Sequence, residues 1–559
     1  FEIESLPAVS ARRRVVQRTI ALPTIPYGYH RLEMTFRKRR AESTLLAAPV
    51  ASYRDAALAN SRGFGLFAPL YALRSDFSRG MGDFSDLRSF ADLVARYRGN
   101  FAATLPFLAA FVDEPSPYSP VSRRFWNELY VDPRRALEWP ERPERPERIA
   151  RPIESSPEPL IDLRAIASWK RPLLESMARE ALRARPEFFE EFLRVRPDAA
   201  EYAKFRAAAE RRGAWPSWTN SPVDADLKDP TFLYHVYGQA LAEEQIAAAA
   251  SAAAQGRVRF YFDMPLGVNR FGFDTWSTPS LFAMTAGVGA PPDAVFPDGQ
   301  SWGFPPILPE RSRAEGHRYF RESLAHVMRH AGLLRIDHVM GLHRQFWIPE
   351  GFEKRDGVYV RYPANELAAV VNLESHRHRT ELVGENLGIV PESVNRALHR
   401  HRWREIYVLQ FRLTGNPERP LDAVPPSCVA SFNTHDTPTY AGFRLGRDLL
   451  DRVEAGYLDG EKARGLAEER AAAVAALDEH LGVVGSGISR ESFVAWLRLL
   501  LESEADLVAI NLEDLWLEEN PQNVPGRVER TNWSRRFRYS LTALPPDVVS
   551  ILAGFSRPA

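Results

Sequence analysis

Eight short β-rich or apolar runs, each ending in polar or turn residues, set the tightest limit on how this chain can fold. They are GFGLFAPL from Gly63, NFAATLPF from Asn100, VRFYFDMP from Val258, GLLRID from Gly332, TELVGE from Thr380, EIYVLQF from Glu405, CVASFN from Cys428 and DLVAINLED from Asp506. Most are separated by stretches of helical character, such as YFRESLAHVMRHA and ESVNRALHRHRWR. Strands that alternate with helices are expected to pair in parallel, because a parallel neighbour needs a crossover long enough to hold a helix. Eight such units close a sheet on itself, so the expected fold is α/β, a (β/α)8 TIM barrel over residues 56–559. Residues 1–55, with PYGYHRLEMTF, read as a short β-containing extension too small to be an independent domain of usual size.

The spacing of the runs is uneven. About 150 residues separate the second from the third, far more than a strand-to-helix loop requires. The spacing predicts an insertion over 108–257 that opens on the Pro-rich, charged connector EWPERPERPERIARPIESSPEP and continues as helices from Trp169 to Ala254. A second insertion, 267–310, is rich in Gly, Pro and aromatic residues. Loops after barrel strands build the active face, so this one is expected to be a substrate wall. A third, 440–500, is charged, Ala-rich and helical. The 72 Lys and Arg residues equal the 72 Asp and Glu, so no global field draws the chain to nucleic acid or to a membrane surface. One cysteine, Cys428, leaves no intramolecular disulfide and no thiolate cluster, and its apolar run suits a buried inert thiol. No segment has the roughly 18 apolar residues of a membrane span, and the first residues lack a signal pattern. The cytoplasm is the expected location. Scattered apolar surface residues do not define an oligomeric state.

Three acids fall at strand ends. Asp337 follows the fourth run, with Arg335 two positions earlier, and a period of two places both side chains on one face of the strand, where the cation suits an ionised, attacking carboxylate. Glu385 ends the fifth run between Val383 and Leu387, an apolar setting suited to a proton donor. Asp436 follows His435 after the seventh run, placed to hydrogen-bond sugar hydroxyls more strongly as charge develops on the ring. A nucleophile, an acid/base and a stabiliser are the requirements of a retaining glycosidase. Taken singly, each acid could equally be a helix cap or one half of a structural ion pair. His435 and His338 beside carboxylates could suggest a metal, but no HExxH-type ligand spacing occurs, and no metal or other cofactor is expected. The pair His376 and His378 reads as a solvated helix surface.

The ordered motifs SPY (116–118), DMPLGV from Asp263, GAPPD (289–293), GQSWG (299–303), RIDHVMGL, GENLGIVP, THDT and the late NVPG and NW resemble the 4-alpha-glucanotransferases of glycoside hydrolase family 77. The resemblance runs from about Gly63 to Trp533. It implies a barrel without a C-terminal β-sandwich and a double displacement through a covalent glucosyl-enzyme. It also implies Asp337 as nucleophile, Glu385 as acid/base and Asp436 as stabiliser. Arg335, His435 and Asp293 would hold the donor sugar, and Tyr118 and Trp302 would be aromatic platforms, unless they are loop packing. Ser116, Asp263, Gln300, His338 and Asn523 are further candidates for polar contacts. The substrates implied are an α-1,4-glucan donor and a glucose or maltodextrin acceptor.

The chain departs from the family pattern in three places. NFAATLPF stands where Trp-Gln usually precedes Leu-Pro, SPVSRRFWNELYVD replaces a segment of small residues, and GENLG replaces GEDLG. Asn386 lies beside Glu385 in the chain, so Asn386→Asp is expected to move the basic limb of the rate profile upward. Two other outcomes stay open: an α-amylase-like hydrolase, and a glucan-binding protein without catalysis.

Overall fold

A computed structural model of the chain describes residues 22–36, 39–55, 62–76, 78–139, 160–218, 223–483, 487–527 and 531–555. The expected connector lies outside the described residues apart from its first two, Glu138 and Trp139. So do the first 21 residues of the N-terminal extension.

All eight runs become strands: β1 (Gly63–Phe67), β2 (Phe101–Ala103), β3 (Arg259–Met264), β4 (Leu333–Ile336), β5 (Glu381–Gly384), β6 (Glu405–Val408), β7 (Cys428–Ser431) and β8 (Leu507–Asn511). They pair in parallel around one sheet, with β1 beside both β2 and β8. A parallel bridge between Val383 and Arg404 joins β5 to the start of β6. There Gly384 N donates to Arg404 O at 2.9 Å and Arg404 N to Leu382 O at 3.0 Å, which closes the barrel.

Alternation along each strand sorts the side chains into two compartments. In β3, Phe260, Phe262 and Met264 join the core between sheet and helices, while Tyr261 joins Phe101, Leu333, Val383, Ile406, Val429 and Leu507 inside the barrel. Gly65 shows how full that interior is: a Cβ there would stand 2.1 Å from the carbonyl oxygen of Phe101, so only glycine fits. The helix after β1, Phe84–Arg96, starts at Asp83, whose carboxylate accepts from the N–H groups of Ser85 and Asp86 at 2.8 and 3.1 Å. Asp86 returns the bond to Asp83 N at 3.0 Å, a reciprocal cap that stabilises the helix start by about 1 kcal/mol.

Between β2 and β3 lie helices Leu163–Ala184, Pro186–Val195, Asp198–Arg212 and Pro230–Gln255. Between β7 and β8 lie Tyr440–Arg444, Arg447–Glu454, Gly460–His480 and Arg490–Glu502. The 267–310 stretch is not only loop. Its strands Ala286–Ala290 and Gln300–Ser301 join Arg344–Pro349 and Val358–Arg361, which follow β4, in a four-stranded antiparallel sheet. At the N-terminal end, Gly28–Phe36 and Arg39–Ala47 form an antiparallel hairpin. It is pinned to the barrel's helices by Tyr29, whose hydroxyl donates to Glu374 at 2.6 Å and whose ring lies under Arg321 at 4.1 Å. Cys428 is buried, and burial pushes its thiol up to about 12. No helix among the described residues is long and apolar enough to cross a membrane.

Candidate active site

The site sits at the carboxyl ends of the strands, where β3, β4 and β5 lie side by side. In β4 the outward Leu334 and Ile336 alternate with the inward Leu333 and Arg335, and Asp337 continues the inward row. Arg335 is the hub. Its Nη1 meets both carboxylate oxygens of Asp263 at 2.9 and 2.7 Å and Oδ1 of Asp337 at 2.9 Å, while its Nη2 stands 3.9 Å from Oε2 of Glu385. Burial opposes a charge on this guanidinium, but Asp263, Asp337 and Glu385 outweigh it and hold Arg335 well above its ordinary value. Asp263 is pushed up by burial and by Asp337, although Arg335 pulls the other way.

Main-chain donors fix both acids that flank the hub. Asp337 Oδ2 accepts from Leu266 N at 3.3 Å. Glu385 accepts from His338 N at 2.8 Å and from Leu387 N at 2.7 Å, one bond to each oxygen. The niche expected to be apolar is therefore lined by N–H groups, although Glu385 itself is buried. His338 reaches it only by adopting a left-handed backbone, φ 46°, a conformation that costs a non-glycine residue roughly 1–3 kcal/mol.

Asp436 approaches from β7. Its Oδ1 accepts from Asn523 Nδ2 at 2.7 Å, and its Oδ2 lies 3.1 Å from His435 Nε2. The surrounding cleft works against ionisation, yet His435, then Asn523 and Arg335, bring Asp436 down to about 2. Tyr118 closes this side: its hydroxyl donates to Asp263 at 2.6 Å, and its ring stacks on His435 with centroids 5.1 Å apart. Burial, reinforced by Asp263, keeps the phenol neutral, well above its usual value.

The remaining sequence candidates divide. Trp302 stands edge-on to the His338 ring at 5.2 Å and donates to Gln300 at 3.4 Å, which puts the pair on the His338 side of the site. Burial lowers the imidazole of His338 and leaves it neutral. Ser116 accepts from Tyr118 N at 3.3 Å and shapes that turn. Asp293 closes a turn of its own, accepting from Val295 N and Phe296 N at 2.7 and 2.6 Å, and among the described residues no hydrogen bond or ion pair joins it to the three acids. Asn386 turns away from Glu385: its amide oxygen accepts from Ile406 N at 3.0 Å and its nitrogen donates to Asn395 at 3.2 Å.

Two aromatic residues outside the sequence candidates belong to this cluster. Phe67 stacks on His435 at 6.3 Å, and Trp533 leans on Tyr118 and His435 at 5.7 and 5.9 Å. Phe67 was available in the inward phase of β1, in line with Gly63 and Gly65. Trp533 sits far along the chain with a left-handed backbone, φ 58°, and only the NW motif marked it. Beneath them a cavity lined by Asp263, Arg335, Asn433, Thr434 and His435 opens into the barrel. Among the described residues no group of three or more His, Cys, Asp or Glu side chains could hold a metal ion.

An eight-stranded α/β barrel with acids gathered around one arginine at the carboxyl ends of its strands suits an enzyme that works on glycosidic bonds with paired carboxylates. A sequence model of the 4-alpha-glucanotransferases of glycoside hydrolase family 77 matches residues 68–542, and the chain belongs to that family. The 4-alpha-glucanotransferase of Haemophilus influenzae is 30% identical over 96% of this chain and 85% of that protein. The enzyme of the same name from Mycobacterium tuberculosis is 31% identical over 93% of this chain and 78% of its own length. The crystal structure of amylomaltase from Corynebacterium glutamicum superposes with a TM-score of 0.84 at 26% identity, covering 95% of this chain and 80% of that one. Amylomaltase from Streptococcus agalactiae, solved with acarbose, shares the fold at a TM-score of 0.72 and 20% identity, covering 89% of this chain and 98% of its own.

Proposed function

We propose that this enzyme moves a segment of α-1,4-glucan from a donor maltodextrin to the 4-hydroxyl of an acceptor glucan or glucose, with retention of configuration. The observation that carries the reading is the single guanidinium of Arg335, in contact with Asp337 and within ion-pair distance of Glu385, which gathers two carboxylates from neighbouring strands. In the first step Asp337 attacks the anomeric carbon, and the bond from that carbon to the leaving 4-oxygen breaks as Glu385 gives that oxygen its proton. In the second, the acceptor's 4-hydroxyl attacks the same carbon, Glu385 takes its proton, and Asp337 is released. Two inversions restore the starting configuration.

Asp436, held ionised, hydrogen-bonds the sugar as positive charge grows on the ring. Arg335 and His435 orient the donor sugar. Tyr118 and Trp302 offer ring faces to its C–H surfaces, and Asp263, Ser116, Gln300, His338 and Asn523 set those groups in place. Asp293 is assigned to the donor site on its place in the GAPPD motif. Transfer rather than hydrolysis is supported by the wall of 267–310, whose folded sheet carries Trp302 to the His338 side of the site. A cytoplasmic location belongs to the same reading and is checked by cell fractionation.

Incubating the purified protein with maltotriose tests the reaction. Glucose with maltopentaose and longer chains is the expected outcome. Glucose and maltose alone would make it a hydrolase, and unchanged maltotriose would mean binding without catalysis or a different donor.

A further inference from the structure

We propose that Asp514, which no substrate contact would involve, is a positioning residue for the transfer reaction, its one carboxylate gripping both ends of the loop that carries His435 and Asp436. Asp514 lies in the tight turn Leu512–Trp516 directly after β8 and is 1% exposed. Its Oδ2 accepts from Asn433 Nδ2 at 2.9 Å, and its Oδ1 accepts from the main-chain N–H of Tyr440 at 2.8 Å. Asn433 leaves β7 two residues before His435, and Tyr440 begins the next helix four residues after Asp436. The loop between these grips is braced internally, with Thr434 N donating to Thr437 Oγ1 at 2.8 Å. It is braced from the turn after β6 by Gln410, whose Nε2 donates to Pro438 O at 2.6 Å. Asn433 is itself oriented by Asn511 at the end of β8, whose amide nitrogen donates to its side-chain oxygen.

The neighbouring acid acts on the other partner of Asp436. Glu513 accepts from Gln522 Nε2 at 2.7 Å, Gln522 accepts from Tyr71 at 3.0 Å, and the next residue, Asn523, supplies the amide bonded to Asp436. The turn after β8 thus sets both the main chain that bears Asp436 and the side chain that orients its carboxylate. A group that strengthens its contact only as the transition state forms tolerates little displacement, so loosening this grip should lower kcat more than it alters KM.

The inference rests on the reading of Asp436 as stabiliser, and Asp436→Asn is the control that separates the two. Asp514→Asn places an amide where two N–H donors point. It is expected to lower kcat for maltotriose by about tenfold or more while KM stays within about threefold. The double variant N433D/D514N exchanges amide and carboxylate across the contact. The amide introduced on the β8 turn can then donate to the carboxylate introduced after β7 and accept from Tyr440 N, and that carboxylate still accepts from Asn511. The new carboxylate gives up the donation that Asn433 makes to Pro438 O at 3.3 Å, so kcat should recover only part of the loss. It should rise by about threefold or more over Asp514→Asn, a recovery that loss of packing alone would not give. If Asp514→Asn does not fold, Asn433→Ala, which frees one end of the loop, carries the test through the same split of kcat from KM. Parental kcat in the variant that folds, or a folded double variant with no recovery, overturns the inference when Asp436→Asn is inactive. An active Asp436→Asn overturns the stabiliser reading itself.

Discussion

The side chain of Asn386 accepts a hydrogen bond from the main-chain nitrogen of Ile406 at 3.0 Å, tying the end of β5 to β6 and facing away from the carboxylate of the preceding Glu385. Adjacency in the chain is not adjacency in the site here, because consecutive residues at a strand end point to opposite sides. The expectation that Asn386→Asp moves the basic limb of the rate profile is therefore replaced. The variant loses the amide donor to Asn395 and sets a carboxylate toward Glu405, whose oxygen now lies 3.5 Å from the amide nitrogen. A loss of roughly 1–3 kcal/mol in unfolding free energy, with unchanged limbs in the pH profile of kcat, is the expected result of denaturant titration and initial-rate measurements.

Glu513 gives a pH signature of its own. Burial lifts its carboxyl to about 8, whereas an unfolded glutamate ionises near about 4.3. Between those values the folded chain keeps a proton that the unfolded chain has released, so this group lowers stability progressively as pH rises through that window, by roughly a few kcal/mol in all. Glu513→Gln preserves an acceptor for Gln522 and removes the titration. Unfolding free energies of variant and parent should agree at pH 4 and diverge in favour of the variant by pH 8.

At the opposite, amino-terminal mouth of the barrel, Glu381 is 2% exposed and pairs with Arg404 and, at 3.2 Å, with Arg259. Its carboxylate also accepts from Asp55 N at 3.0 Å. Glu381→Ala would leave two guanidinium groups there without that partner, at a cost of about 3–5 kcal/mol. The proposed catalytic acids lie at the other mouth, so the folded variant should keep the parental kcat while its thermal midpoint falls.

The barrel was legible because its strands are short, nearly fully buried runs interrupted by helices, a pattern carried within each segment. The nearness of Arg335 and Asp337 was legible for the same local reason, a period of two. The four-stranded antiparallel sheet was not. Its strands Ala286–Ala290 and Arg344–Pro349 are separated by β4, and Gln300–Ser301 spans two residues, so nothing in any one segment announces the pairing. Neither was the polar niche of Glu385, since its lining is main-chain N–H from His338 and Leu387 and any residue type carries that group. Trp533 joins Tyr118 across more than four hundred residues of chain, a contact that only the closed barrel creates.

The direct test of the central claim, that Asp337 forms a covalent bond to the donor sugar while Glu385 moves the proton, is mass spectrometry of Glu385→Gln treated with a maltosyl fluoride. Fluoride departs without a proton, so the first step proceeds, while the second lacks the base that activates an acceptor. The expected result is an accumulated maltosyl-enzyme whose digest carries the added mass on the peptide containing Asp337. Added mass on another residue, or rapid transfer by an Asp337→Asn variant, would contradict it.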